Sequence, residues 1–228
     1  MLRLDEKDKN IMIMCGMSAA FSALFGTPMT AAIFSMEVVS VGIMHYSALV
    51  PCVVASLIAH GIALESGIAS EAFVIWEIPV FHMRTAVIIS VLAVFCALVS
   101  VLFCVMLRRT EHLYHKLFKN PFLRIFAGGC LVVALTFLVG NQDYNGAGMH
   151  MVEHYFEGSV RPEAFLLKMV ITALTIGARF KGGEIVPSFF TGAAFGCLFG
   201  TITDFSPSLC TAIGMISVFC GVTNCPIT

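Results

Sequence analysis

The sequence predicts an all-α integral membrane protein, a bundle in which several helices are broken or half-length. Three observations carry that expectation. Hydrophobic residues make up 58% of the 228 and charged residues 12%, against roughly 45–50% and 25% in an average soluble domain, and mean hydropathy is +0.93. Several apolar runs stop, at glycine or proline, before the roughly 20 residues that a bilayer crossing needs. One polar stretch, Gly177 to Gly196, sets Lys181, Gly182, Gly183, Glu184 and Pro187 between two hydrophobic segments. The chain is therefore expected to pass several times through the cell's inner or plasma membrane, with the lipid bilayer as its surroundings. Its net charge of -1 leaves no cationic excess for nucleic acid.

Taken in order, Met1 to Asn10 is charged and mixed in sign. It reads as a cytoplasmic lead-in and not a signal peptide, because the apolar run behind it has no small-residue cleavage signature. Ile11 to Phe25 is a short helix ended by Gly26, Thr27 and Pro28. Its residues Gly16, Ser18, Ala19, Ala20, Ser22 and Ala23 make a small face suited to close helix packing. Pro28 then opens a second half-helix to about Val41, with Glu37 near its end. His45 to Leu64 is a fuller span. Its histidines, His45 and His60, read as packing or interfacial groups. Glu65 to His82 is a loop carrying Glu65, Glu71 and Glu77, and Trp76 suits a membrane interface.

Arg84 to Leu107 is the longest clean apolar run and reads as a transmembrane helix. The basic loop Arg108 to Lys119, with Arg124 just beyond it, is placed in the cytoplasm by the positive-inside rule. Leu123 to Gly140 runs outward again. Asn141 to Arg161 is polar, with a turn over Asp143 to Gly146, and Glu163 to Ala178 leads into the polar stretch. Pro187 to about Ile202 continues from it, and Ser208 to Val222 is the last apolar piece. All nine cysteines lie in or beside apolar segments without metal-ligand spacing, so buried free thiols are expected and no metal or other cofactor.

The polar stretch holds the candidate site. A charged side chain at bilayer depth costs at least about 2.5–3.5 kcal/mol. Glu184, kept there, is the leading candidate for chemistry. Gly182 and Gly183 allow a sharp turn, and Pro187 sits where a new helix can begin. The backbone N–H groups that follow would meet a small anion at the positive end of a helix dipole. Lys181 either attracts anions or extends to an interface. Thr191 and Thr223 read as hydroxyls bonded back to their own helices.

Gly182, Gly183, Glu184, Ile185, Val186 and Pro187 resemble the glycine-glycine-x-phenylalanine-x-proline anion loop of the CLC chloride channels and proton-coupled antiporters. With Lys181 before the loop and Glu184 inside it, the stretch is closest to the fluoride/proton antiporter branch. The segments Gly16 to Pro28 and Gly214 to Pro226 extend the resemblance over nearly the whole chain. It implies a CLC-type bundle with inverted-repeat architecture and anion transport, with fluoride or chloride and protons as the transported partners. Fluoride/proton antiport, that is fluoride export, is the leading reading, and a chloride channel or chloride/proton antiporter of the same fold is the alternative. Neither is an enzyme. It also implies a homodimer, and a chain 1–228 that is a partial transmembrane domain, a fragment without the N-terminal gating region and the last helices.

Two positions refine the resemblance. Where proton-coupled chloride antiporters have two consecutive glutamates, this sequence has Glu37 and Val38, so Glu184 is the group left for proton work. Glu37 matches the first, more structural glutamate and remains a secondary candidate. The ends also echo each other: Ala20 to Thr30 and Val218 to Thr228 share Phe, small residues, Pro and Thr at matching offsets, as an inverted repeat would. A different chemistry is open at His150, Glu153 and His154, which fit the H-x-x-E-H pattern of a zinc site and hence of a membrane metalloprotease. A solvated amphipathic loop is the simpler account of that pattern.

Overall fold

The apolar runs are helices, and among the described residues there is no strand. The structure, a computed structural model, describes residues 5–39, 44–68, 73–76, 79–80 and 82–227; Val41, Glu71, Glu77 and Thr228 lie outside them. The chain divides into two compact units, Met1–Phe73 with Thr223–Thr228, and Val74–Val222.

In the first unit, α1 (Glu6–Phe25), α2 (Pro28–Val39), a 3-10 turn (Tyr46–Ala48) and α3 (Leu49–Glu65) pack on one another. The charged lead-in is helical from Glu6 onward. Glu and Lys are good helix formers, and the helix can carry their charges beyond the apolar layer. Gly26 ends α1 with φ 67°, a conformation glycine adopts without steric cost. Pro28 then occupies the first position of α2, where no N–H is needed. The small face of α1 is narrower than the sequence suggests. Ser18 and Ser22, one turn apart and fully buried, donate to the carbonyls of Cys52 (2.9 Å) and Ser56 (2.7 Å) on α3, while Gly16 and Ala20 are exposed. Met14, Ala32, Met36, Ala48 and Cys52 fill the core between them.

The two echoing segments share a backbone feature. Gly26 and Asn224 both sit just after a helix end, at φ 67° and 56°, and each is followed two residues later by proline. The buried Glu37 carboxylate accepts from the N–H of Ile227 at 3.1 Å, directly after Pro226.

The second unit contains α4 (Met83–Leu117), α5 (Pro121–Val139), α6 (Met149–Phe156), α7 (Ala164–Gly177), α8 (Ile185–Ile202) and most of α9 (Pro207–Thr223). The stretch read as a basic loop is helical as far as Leu117. At 35 residues α4 is on the order of 50 Å long, well beyond the roughly 30 Å of hydrocarbon it must cross. Its last turns, with Arg108, Arg109, His112, His115 and Lys116, therefore clear the apolar layer while staying helical. The polar segment before α7 likewise contains a short helix, α6. Its Val152, Tyr155 and Phe156 are buried, and burial pushes the Tyr155 phenol above its usual range, so it stays neutral.

Leu92, Cys96, Val99 and Phe103 of α4 meet Met169 of α7 and Cys210 and Val218 of α9 in the core. The other face of α4 leaves Val87, Val94, Leu98 and Val101 exposed. Such a contiguous apolar surface suits lipid and not water. Tyr46–Glu65, Met83–Leu117, Pro121–Val139 and Ile185–Ile202 are each long and apolar enough to cross a membrane. The nine cysteines are free thiols, and Cys130 is exposed, contrary to the expectation of uniform burial.

Glycines set the closest approach in this unit. A Cβ on Gly192 would collide with the Gly214 carbonyl, one on Gly196 with the Cys210 carbonyl, and one on Gly214 with the Gly192 carbonyl, so α8 and α9 touch backbone to backbone. Gly196→Ala is therefore expected to destabilise the protein by about 1–3 kcal/mol, because backbone cannot give way as a flexible side chain does. Thermal unfolding of the purified protein in detergent checks this, and an unchanged melting temperature would contradict the tight crossing.

Candidate functional site

The polar stretch starts where α7 stops. Its end is held by three glycines: an added Cβ on Gly177 would press on Thr110 and Glu111 of α4, one on Gly128 of α5 would overlap Ala178, and Gly129 lies under the Phe180 ring. Arg179 takes the left-handed turn at φ 71° and donates its N–H to the Ile176 carbonyl (2.9 Å), while the Phe180 N–H reaches the Thr175 carbonyl (3.3 Å). This is the Schellman termination usually built on glycine. The sharp reversal expected at Gly182 and Gly183 thus falls on Arg179. Neither glycine has a positive φ, and the space around both is open.

The next helix begins at Ile185, two residues before Pro187, with Glu184 as its N-cap. Pro187 occupies the third helical position, which also lacks an intrahelical acceptor for an N–H, so its missing proton costs nothing there. The N–H groups of Ile185 and Val186 belong to the same first turn and point out of the helix start. The Glu184 carbonyl accepts from Ser188 N–H at 3.0 Å, while its side chain makes no cap bond. Lys181, Gly182, Gly183 and Glu184 are exposed; Ile185, Val186 and Pro187 are half-buried. The Glu184 carboxylate and Arg108 both lie within electrostatic reach of Cys104 on α4. The hydroxyls of Ser188 and Thr191 donate to the carbonyls of Ile185 (2.6 Å) and Pro187 (2.8 Å), which leaves Thr191 in the back-bonded role read for it.

The six residues Gly182 to Pro187, with Lys181, therefore form one continuous stretch in the second unit, an exposed loop leading into a half-buried helix start. Glu37 belongs to the first unit, where it holds the Ile227 N–H. The second chemistry lies elsewhere on α6. His150, Glu153 and His154 are exposed, and His154 Nδ1 sits 3.3 Å from Glu157 Oε2. Among the described residues no three His, Cys, Asp or Glu side chains are grouped to hold a metal ion.

Lys168 was not singled out from the sequence. It is 1% exposed, and its ammonium donates to the carbonyls of Tyr144 (3.1 Å), Gly146 (2.8 Å) and Ala147 (3.3 Å). It also sits 4.7 Å from the centre of the Phe190 ring on α8, a ring flanked edge-on by Tyr144 and Tyr155. Lys168 thus ties the 144–147 turn and α7 to α8 about a turn and a half from the helix start. A lone charge in the otherwise apolar α7 was the available signal.

The geometry defines a class: a helical membrane protein in which a helix restarts behind an exposed glycine-glycine-glutamate loop. The family model described as voltage gated chloride channel matches residues 1–228. The chain belongs to that family and is an integral membrane protein. It is 31% identical over 231 residues, 99% of this chain and 51% of the relative, to a chloride/fluoride channel protein of Pseudomonas syringae pv. tomato. It is 22% identical over 208 residues, 88% of this chain and 48% of the relative, to the voltage-gated ClC-type chloride channel ClcB of Citrobacter koseri. Its fold matches the crystal structure of a CLC-type fluoride/proton antiporter with a TM-score of 0.90 at 29% identity, over 96% of this chain and 55% of that one. The chain spans about half the length of the curated relatives it matches.

Removing the Lys168 ammonium leaves the buried Tyr144 carbonyl, and the part-buried carbonyls of Gly146 and Ala147, without that donor. Lys168→Met, close in volume, is expected to cost about 2–3 kcal/mol, read as a lower melting temperature in detergent. A variant as stable as the parent would show the cage to be dispensable.

Proposed function

We propose that this chain supplies part of the transmembrane domain of a CLC-type anion transporter that exchanges fluoride for protons and so exports fluoride. One observation carries the reading: Glu184, the N-cap of α8, stands exposed beside the outward N–H groups of Ile185 and Val186. Those N–H groups and the positive end of the helix dipole attract a small anion. A carboxylate at the same place competes with the anion while charged and vacates it when protonated. Binding of the anion and uptake of a proton are thereby coupled in one residue. Val38, next to Glu37, has no proton to exchange, which leaves Glu184 as the proton-carrying group of the chain.

The names of the relatives support the reading, since one is a chloride/fluoride channel protein and the matched structure is a fluoride/proton antiporter. Gly182 and Gly183 keep the loop open to the ion, and Lys181 adds positive potential at its edge. Glu37 has a structural part, holding the N–H that follows Pro226. The active unit on this reading is a homodimer in the cell's inner or plasma membrane, moving ions without catalysing a covalent reaction. A chloride channel or chloride/proton antiporter is the second reading, favoured by the resemblance to the Citrobacter chloride channel.

The test is flux through the protein reconstituted in liposomes. A fluoride gradient is expected to drive proton movement, and Glu184→Gln to reduce that movement to the level of empty liposomes. Proton movement unchanged in Glu184→Gln would remove the residue from the mechanism. Equal response to a chloride gradient would favour the second reading.

A further inference from the structure

The geometry points to a binding site for a phosphate group, carried by an anionic lipid or by a soluble phosphate, where the end of α4 meets the start of α5 and the end of α7. Arg124 of α5 is 4% exposed, yet among the described residues it meets no carboxylate. Its Nη1 lies 2.8 Å from His115 Nε2 on α4, and Arg179 places Nη2 3.1 Å from that same nitrogen. A guanidinium only donates, so Nε2 accepts from both and the imidazole proton sits on Nδ1. Two permanent positive charges therefore converge on one neutral nitrogen. The buried Nε of Arg124 has no partner at all.

That arrangement costs free energy as it stands. A guanidinium cannot shed its proton, and a buried charge without a counter-charge is strongly unfavourable. Arg124 also lies in the first turn and a half of α5, at the positive end of that helix, where a cation is disfavoured and an anion is favoured. A tetrahedral oxyanion at this point would accept from both guanidinium groups and gain from the helix dipole, and arginine forks match its oxygens. Arg179 and His115 are exposed, so the cluster can be reached from outside. Phe122 and Phe126, two residues before and after Arg124 and so on the opposite face of α5, are 82% and 71% exposed. That apolar helix surface suits acyl chains, and the exposed Arg179 offers a headgroup phosphate its point of entry.

The inference concerns binding and does not depend on which ion the protein moves. Native mass spectrometry of the purified full-length protein with phosphatidylglycerol and with phosphatidylcholine reads the lipid source. Thermal unfolding with added inorganic phosphate reads the soluble source. Phosphatidylglycerol is expected to be retained over phosphatidylcholine, and Arg179→Gln to weaken its retention about tenfold, the loss of one charge-assisted hydrogen bond. Arg109→Gln removes the same charge from the exposed end of α4 and is expected to leave retention unchanged. Arg124→Gln is the stronger test if it folds; the exposed Arg179 carries the test if it does not. A phosphate-dependent rise in melting temperature lost in Arg179→Gln, without lipid preference, also supports the site and assigns it to a soluble ligand. Equal weakening by Arg179→Gln and Arg109→Gln, or no response to either probe, overturns it.

Discussion

A main chain in an apolar surrounding cannot leave a helix without giving its N–H and C=O groups other partners. The breaks in this molecule follow that constraint. At Gly67, Arg179 and Asp204 a left-handed residue turns the chain back, and the next N–H reaches a carbonyl five residues earlier: Ile68 to Ala63, Phe180 to Thr175 and Phe205 to Gly200. The carbonyls at these helix ends are thereby spent inside the fold. What remains is the set of N–H groups at the start of the following helix, which have no acceptor within their own helix, and at α8 these come directly after the exposed Glu184. Satisfied carbonyls behind and helix-start donors in front are the features on which the proposed anion site rests.

Close packing holds that helix start in position. Gly177 and Gly128 bring the end of α7 against α4 and α5, and Gly192, Gly196 and Gly214 bring α8 against α9. Behind the loop, the Lys168 ammonium binds three carbonyls of the turn before α6 and faces the Phe190 ring. Burying an ammonium is unfavourable unless it is fully hydrogen-bonded, and this one is. The consequence is a fixed turn against α7, with α8 held to it by the Phe190 ring over the same ammonium. Arg179 has the opposite character. It accepts a backbone conformation that costs a residue with a Cβ roughly 1–2 kcal/mol, and its side chain reaches His115 in return.

Much of the fold was legible because helix signals are local. Gly26, Thr27 and Pro28 punctuate the chain between α1 and α2, and Gly182 to Pro187 punctuate it between α7 and α8, whatever surrounds them. The misread boundaries have a shared cause. Charged residues before Ile11 and after Leu107 suggest helix ends, but charge ends a membrane crossing without ending a helix, and α1 and α4 continue through both. The sequence places a sharp turn at Gly182 and Gly183 because glycine lacks a Cβ. Where the turn falls depends on where α7 is stopped by its packing against α4 and α5, and that put it on Arg179.

The sequence by itself determined the membrane class, the broken helices, the family and the loop that carries Glu184, because composition and Gly/Pro spacing act within a few residues. Only the tertiary structure decided that Glu184 is exposed as an N-cap, that Lys168 is buried among carbonyls more than twenty residues earlier in the chain, and that Arg124 and Arg179 converge on His115. Those facts depend on which helices lie side by side. Contacts between distant segments are set by packing of whole surfaces, which no short window of residues specifies.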